Sequence, residues 1–473
     1  MDTKMKKIYF YVIGIMGMLI LFLTPPISVP DENAHFLNAY SYSRGDFVAS
    51  KDESGTVVGK YYPQYILDFL NRYMTAYNGD LKKKNNFRNY SLENWYEVSG
   101  NDKEEVFYAN DLLTITPFAY VASSSSMFIY RIFARIISGR YINGDNLLLA
   151  GRLGNLLFYL IVSYLAICIT PILKKTMMLL LTMPMTIFLG ASLSYDAVLI
   201  PITFLFMAEF FKLLFTEDVV EKKDIIIISI CVIFISSIKM LYAPFILFLF
   251  LIPIKKFLSK KQYIISIVSV VVAGLIGVIL PKIISILSVA GTNVVENENI
   301  TIQREYILHN IFRIPYIIVN SLIVNRNFYI TSFVGKLGTL DTNLPIVFII
   351  LFVITLVIVS MFEAAKVKEF NFEKRMFTVA VLCIVFIGMF MIMYITWTPL
   401  VTETKGDVVS GLQGRYFIPI YLVAIMIIFN NLMSKINNRI VAKAENCIDK
   451  ICLFFIIMNP VFTVIILLLR YWC

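Results

Sequence analysis

The sequence predicts an all-α, polytopic membrane protein. Of its 473 residues 58% are hydrophobic and only 16% charged, and the mean hydropathy is +0.76. Apolar runs of about 20 residues recur along the chain, the length a helix needs to cross a hydrocarbon core. Soluble domains carry about 25% charged residues, so a soluble fold does not account for this composition. The net charge of +10 comes from 42 Lys+Arg against 32 Asp+Glu. It does not point to nucleic acid, because many of the basic residues flank apolar runs, as the positive-inside rule produces.

The chain opens with MDTKMKKIYFYVIGIMGMLILFL, a basic start and an apolar stretch like a signal peptide. TPPISVP follows where a small-residue cleavage site would stand, so this segment reads as a retained first span. Candidate spans lie at 8–24, 150–172, 176–193, 197–215, 224–239, 242–254, 262–284, 343–362, 376–396, 414–431 and 451–470. That makes about 11 transmembrane helices, with 224–254 read as a broken or tilted pair. Cysteines at 168, 231 and 383 lie inside apolar runs, those at 447, 452 and 473 lie near the end of the chain, and no CxxC pair occurs. No disulfide framework follows from that spacing.

Lys and Arg in the short loops set the sidedness. Lys4, Lys6 and Lys7 place the N-terminus in the cytoplasm. The basic loops Lys174-Lys175, Lys222-Lys223, Lys255 to Lys261, Lys366 to Arg375 and Lys435 to Lys443 then fall on the same side. This parity requires that 113–137 does not span; the stretch reads as an amphipathic juxtamembrane helix at the outer surface. If it spanned, Lys174 and Lys175 would lie outside. The chain divides into an N-terminal transmembrane module, 1–285, containing a large first outer loop at 25–149, a second outer loop at 286–342, and C-terminal transmembrane helices at 343–473. An outer loop of more than 100 residues is too long for a plain connector and should carry helices of its own.

Ionisable residues that interrupt the apolar runs gather on the outer side. Asp31 and Glu32 follow the first span, Asp196 sits in the tight turn SLSYDA, and Lys239 and Tyr242 lie in SSIKMLYAPF. Asp341 precedes the span at 343, and Arg415 opens the span at 414 within GLQGRYFIPI, beside Gln413 and Tyr416. Ionisable groups at the rim of the hydrocarbon are costly and usually mark function. Each also has a structural reading. Asp31 and Asp196 fit the N-caps of following helices, Lys239 fits a snorkelling lysine, and Arg415 fits a head-group anchor. His35 fits a polar loop residue, and the many Tyr and Phe fit interfacial belts. No Walker A loop, GxGxxG with a suitable acid, HExxH or GxSxG occurs, and two histidines leave little for a histidine-based metal site. Sequons at Asn89 and Asn299 are short enough to arise by chance.

PPISVPDENAHFLNAYSYSRGDF resembles the opening of the DUF2142 group of bacterial membrane proteins. AGRLGNLL with Arg152, SLSYDA with Asp196, SIKMLYAPFILFLFLIPIKKF, FVGKLGTLDTNLP and GLQGRYFIPI follow in the same order. The resemblance implies a GT-C-like fold and a glycosyltransferase that takes a sugar from a polyprenyl-phosphate donor on the extracytoplasmic side of the bacterial cell membrane. It also implies a carboxylate in the first outer loop that acts on the acceptor, for which this chain offers Asp31 and Glu32, and a second acid, matched by Asp196. Neighbouring helical residues point about 100° apart, so Asp31 and Glu32 should not share one role. Asp31 is expected as the base, and Glu32 as its alternative or as a ligand to a substrate hydroxyl. Arg415 offers bidentate contact to the departing phosphate, with Lys239 and Arg152 adding positive charge. His35, Asp196, Tyr242, Asp341, Gln413 and Tyr416 complete the expected substrate-binding set. Two or three of the acids would suit Mg²⁺ or Mn²⁺, although several GT-C branches need no metal. The expected partners are the lipid-linked donor, an envelope glycan or polymer acceptor and the bilayer. The competing classes are a transporter or flippase of a lipid-linked precursor, and a non-catalytic envelope assembly protein.

Overall fold

The computed structural model describes residues 2–52, 57–74, 81–85, 99–100, 105–109, 116–137, 142–289, 297–364, 371–433 and 438–473. The Asn89 sequon and the basic residues Lys366, Lys368 and Lys435 lie outside the described residues. Among the described residues, seven helices are long and apolar enough to cross a membrane: Asp2–Leu23, Gly144–Ile169, Asp196–Phe215, Lys260–Ser288, Ile346–Ala364, Phe372–Val401 and Glu445–Tyr471. An eighth is reached if Glu298–His309 and Ile311–Val324, bent by 91° at His309–Ile311, count as one. The remaining expected spans are shorter or broken. Lys174–Thr182 and Pro184–Gly190 form two pieces because Pro184 cannot continue the first helix. Lys222–Ile238 has only 17 residues, and Met240–Leu251 is wound as a 3₁₀ helix containing Pro244. Such a long 3₁₀ run is uncommon, and the extended backbone of Lys239 between the two pieces makes the break the sequence suggested.

Asp196–Phe215 is the axis of the bundle, with 78% of its apolar window buried; Lys260–Ser288 and Phe372–Val401 have 28%. The outer faces of those two helices expose Val268, Val272, Leu275, Ile384 and Ile387, as a lipid-facing surface would. Gly144–Ile169 packs along Asp196–Phe215, Lys222–Ile238 along Lys260–Val289, and Asp2–Leu23 along Asn438–Tyr471.

Polar contacts collect at two ends of the bundle. At one end Lys174 meets Asp2 at 3.0 Å, Lys175 pairs with Asp449, and Lys256 Nζ donates to Leu213 O at 2.6 Å. Glu363 accepts the backbone N–H groups of Lys175 and Thr176 at 2.9 and 2.8 Å, which satisfies the start of the Lys174–Thr182 helix. At the other end Trp472 Nε1 donates to Leu23 O at 2.8 Å, beside the groups taken up below.

The segment between the first helix and Gly144–Ile169 departs from an all-helical expectation. Helices Glu32–Ser43, Gln64–Met74 and Val121–Ile137 are joined by an antiparallel sheet of Ser50–Lys51, Val58–Pro63 and Glu105–Ala109. Gly59 makes the central strand fit, because a Cβ there would stand 2.4 Å from Tyr108 O. Val121–Ile137 is not among the helices long enough to span. It packs on Gly144–Ile169 where Gly151 and Gly154 admit Met127 and Ser126.

Candidate functional site

Pro25 and Pro26 stop the first helix at Leu23, and the chain re-enters a helix at Glu32. The residue between these elements, Asp31, adopts φ 59°, ψ 15°. Asp tolerates that left-handed conformation because its short polar side chain can satisfy itself locally. Here the side chain makes no capping hydrogen bond; only the Asp31 carbonyl joins the helix, accepting His35 N–H at 3.0 Å. The capping role the sequence allowed is therefore not the one Asp31 plays. Its carboxylate is exposed and lies within electrostatic reach of Tyr120, Tyr195, Lys239 and Arg415.

Glu32 points the other way. It is fully buried and forms a fork-to-fork pair with Arg152, Nε to Oε1 at 2.8 Å and Nη2 to Oε2 at 2.7 Å. Arg152 gives its remaining N–H groups to the carbonyls of Leu21, Thr24 and Pro25 at 3.2, 2.6 and 2.9 Å. All five guanidinium donors are thereby engaged. Glu32 Oε1 also accepts Leu193 N–H at 3.2 Å. This pair ties the exit of the first helix, the start of the second, Gly144–Ile169 and the Leu193 turn together, and both partners are engaged before a substrate arrives. The geometry therefore separates Glu32 from the general-base role and Arg152 from phosphate contact.

Asp196 is the first residue of its helix, Tyr195 holds the N-cap position, and Ser194 Oγ accepts Asp196 N–H at 3.2 Å. The Asp196 carboxylate faces Arg415, Oδ2 to Nη1 at 3.5 Å, with both side chains about 5% exposed. That separation is too long for a good hydrogen bond. Among the described residues Asp196 Oδ2, Arg415 Nε and Arg415 Nη1 are buried with no hydrogen-bond partner. A buried guanidinium with two idle donors is costly, and these two open onto different edges of its plane.

Lys239 stands beside this pair. Its Nζ is 3.4 Å from the centre of the Tyr416 ring and 5.1 Å from that of Tyr195, so the cation is held between two π faces. Tyr242 is buried behind, donating its hydroxyl to Tyr416 O at 2.7 Å; it supports the site from outside. Gln413 lies two residues before Arg415, and its carbonyl accepts Tyr416 N–H at 3.1 Å. The strap that carries these residues is pinned by other outer-end helices: Val409 N–H to Ser321 Oγ and Gly414 N–H to Ser332 Oγ, each 2.8 Å.

His35 is buried, bonded through Nδ1 to the Tyr120 hydroxyl at 2.7 Å and edge-on to the Tyr195 ring at 5.1 Å. Burial, and then the charges of Arg415 and Lys239, push its pKa down to about 3. It is a neutral hydrogen-bonding group buried in the Glu32–Ser43 helix, where the sequence suggested a polar loop residue.

Asp341 stands apart. It pairs with Arg470 Nη2 at 3.0 Å and accepts the Thr342 hydroxyl at 2.8 Å. Tyr120 and Tyr195 are the site residues that sequence reading passed over. Tyr195 was in view inside SLSYDA beside Asp196, whereas nothing near Tyr120 announces a contact with His35, 85 residues away. Among the described residues no group of three or more His, Cys, Asp or Glu side chains is placed to hold a metal ion.

From Lys239 and Tyr416 the site opens into an apolar cavity of about 270 Å³, walled by Met240, Leu241, Met389, Ile392, Met393 and Leu412. Lys239, with Arg415 and Asp196 within its electrostatic reach, thus borders an apolar space that can take a chain, and Asp31 is exposed. The family model described as a predicted membrane protein, DUF2142, matches residues 15–424. No curated protein matches, and no solved structure matches.

Proposed function

For a chain that belongs to the DUF2142 family of predicted membrane proteins, we propose the activity of a GT-C type glycosyltransferase working at the outer face of the bacterial cell membrane. The donor is a sugar on a polyprenyl phosphate, and the acceptor is an extracytoplasmic envelope glycan or polymer. About eleven crossings with a cytoplasmic N-terminus complete the reading. One observation carries it: Asp31, Asp196 and Arg415, from three distant parts of the chain, lie within electrostatic reach of Lys239, which lines an apolar cavity, and two Arg415 donors have no protein hydrogen-bond partner.

The chemistry follows from the placement. An acceptor hydroxyl oxygen attacks the sugar C1 while the bond from C1 to the phosphate oxygen breaks, and the configuration inverts. Asp31 takes the hydroxyl proton; a positioned general base contributes about 10²–10⁴-fold. The phosphate leaves with the bonding electron pair, and Arg415 receives its developing charge on an idle N–H, a preorganised cation being worth most where charge grows. Lys239 adds a second positive charge. Asp196 holds Arg415 in register, and its free Oδ2 is available to a sugar hydroxyl. His35 is a neutral donor or acceptor on the wall of the sugar site, fixed by Tyr120. The base and the leaving phosphate stand on opposite sides of the sugar, as in inverting glycosidases.

The test is glycosyl transfer from a polyprenyl-phosphate sugar by the purified protein, compared with Asp31→Asn. Transfer by wild type and its collapse in the variant support the reading. A transporter remains the second reading, favoured by the 91° bend at His309–Ile311 and the 3₁₀ run at Met240–Leu251. Movement of intact carrier across a bilayer without sugar transfer would establish it.

A further inference from the structure

Residues 286–342 read from the sequence as an outer loop in water, yet the middle of that stretch turns an apolar face outward. Along Glu298–His309 the exposed side chains include Glu298, Asn299, Arg304 and Glu305. Past the 91° bend at His309–Ile311 they are Ile311, Phe312, Pro315, Tyr316, Val319 and Ile323, followed by Val324, and Phe312 is 100% exposed. Arg326 and Asn327 then restore a polar exterior. Arg313 is the one charged residue between His309 and Arg326, and it pairs with Asp407.

The uncovered face is a stripe of one helix, Ile314–Val324. Tyr316, Val319 and Ile323 recur at helical spacing, while Ile317, Ile318 and Ser321 on the other side are buried. A helix that is apolar on both faces needs both of them out of water. This one packs on Phe372–Thr396, whose outer side is itself apolar at Ile384 and Ile387, so the patch adjoins a lipid-facing surface. With 11 residues the helix is about 16 Å long, too short to cross roughly 30 Å of hydrocarbon. Both arms of the bend are also fixed to one strap. Before the bend Gln303 Oε1 accepts Lys405 N–H at 2.6 Å. After it Asn320 Nδ2 donates to Asp407 O at 3.0 Å, and Ser321 Oγ accepts Val409 N–H at 2.8 Å. The segment therefore enters and leaves at the end of the bundle that holds Arg415.

We infer that Ile311–Val324 is re-entrant: it dips into the leaflet on the Arg415 side, its exposed stripe is covered by phospholipid acyl chains, and it returns to the side it came from. The polar residues that bound the stripe, Arg304 and Glu305 before it and Arg326 and Asn327 after it, mark where the chain passes the head groups. Through Ser321 and Ser332 the bilayer then braces the strap that carries Arg415.

The test uses the full chain in phosphatidylcholine nanodiscs and needs no sugar transfer. Benzoylphenylalanine replaces Phe312, Val319 or Asn327 in turn, and intact mass is read after illumination. All three side chains are exposed, so the variants should fold. Phospholipid adducts at 312 and 319 and none at 327 are expected. Their absence at 312 and 319 overturns the inference, and a cross-link from 312 to a second copy of the chain assigns the patch to a protein and overturns the lipid. The return to one side is read in intact cells with a membrane-impermeant maleimide on Glu305→Cys and Asn327→Cys, with wild type as the blank. Reaction of both, or protection of both, is the expected result; reaction of one alone shows a crossing and overturns the re-entrant path.

Discussion

Replacing Arg415 by lysine separates a phosphate ligand from a structural counterion. Arg415 Nη1 is 3.5 Å from Asp196 Oδ2, and two unit charges at that distance attract by about 5 kcal/mol at an effective dielectric near 20. Lysine retains a positive charge and much of this attraction, so the fold should survive. What lysine lacks is the planar set of N–H donors fixed in direction. A hydrogen bond to a charged group contributes about 1.5–3 kcal/mol, so losing one to the phosphate lowers kcat/KM about ten- to hundredfold. The leaving phosphate gains charge in the transition state, and an interaction that strengthens there is lost from kcat more than from KM. The assay is steady-state transfer from a polyprenyl-phosphate sugar, with a thermal melt in the same detergent. Asp196→Asn is the companion variant. It leaves Arg415 buried without its counterion and should lower the melting midpoint, since breaking a buried pair costs about 3–5 kcal/mol. Arg415→Lys with wild-type kcat and KM and a lowered melt would refute the reasoning, and Arg415 would then be only the partner of Asp196.

Asp31→Asn should lower kcat by about 10²–10⁴ with an unchanged melt, because the exposed carboxylate makes no capping bond. Glu32→Gln should do the reverse, lowering the melting midpoint by weakening the buried Arg152 pair, with donor and acceptor KM in the surviving protein unchanged. His35 makes the fold acid-sensitive: the unfolded chain binds its proton below 6.5 and the native one only near 3, so stability falls as pH drops through that window. At pH 5 the cost is about 2 kcal/mol, and melts of wild type against His35→Gln should show the slope lost in the variant. Gly411→Ala should reduce transfer, because Gly411 has φ +82° and a Cβ there would stand 2.2 Å from Trp397 Cδ1. The strap leading to Arg415 would have to shift, and a variant with unaltered kcat would show that the strap does not position the guanidinium.

The separate duties of Asp31 and Glu32 show what the sequence could and could not convey. Adjacent positions on a helix diverge by about 100°, so two roles were legible from their spacing alone. The left-handed turn at Asp31 carries this further, since it places Asp31 before the helix and Glu32 inside it. The partner that decides the matter, Arg152, lies 120 residues away, and no local pattern reports the azimuth at which one helix presents a side chain to another. The same reason hid Arg470 as the partner of Asp341, 129 residues apart, and Tyr120 as the partner of His35. Signals that need only a window were readable: the long apolar runs and the break at Lys239. The sheet that follows Glu32–Ser43 was not, because its strands are short and Glu105–Ala109 pairs with Val58–Pro63 across the intervening Gln64–Met74 helix. Sidedness nevertheless brought Asp31, Asp196, Lys239 and Arg415 to one face from charge parity alone. Parity could select the face but could not rank the residues on it. The ranking rests on which buried donors and acceptors the protein leaves idle, and Arg415 is singled out because Arg152, an equally buried arginine, has none.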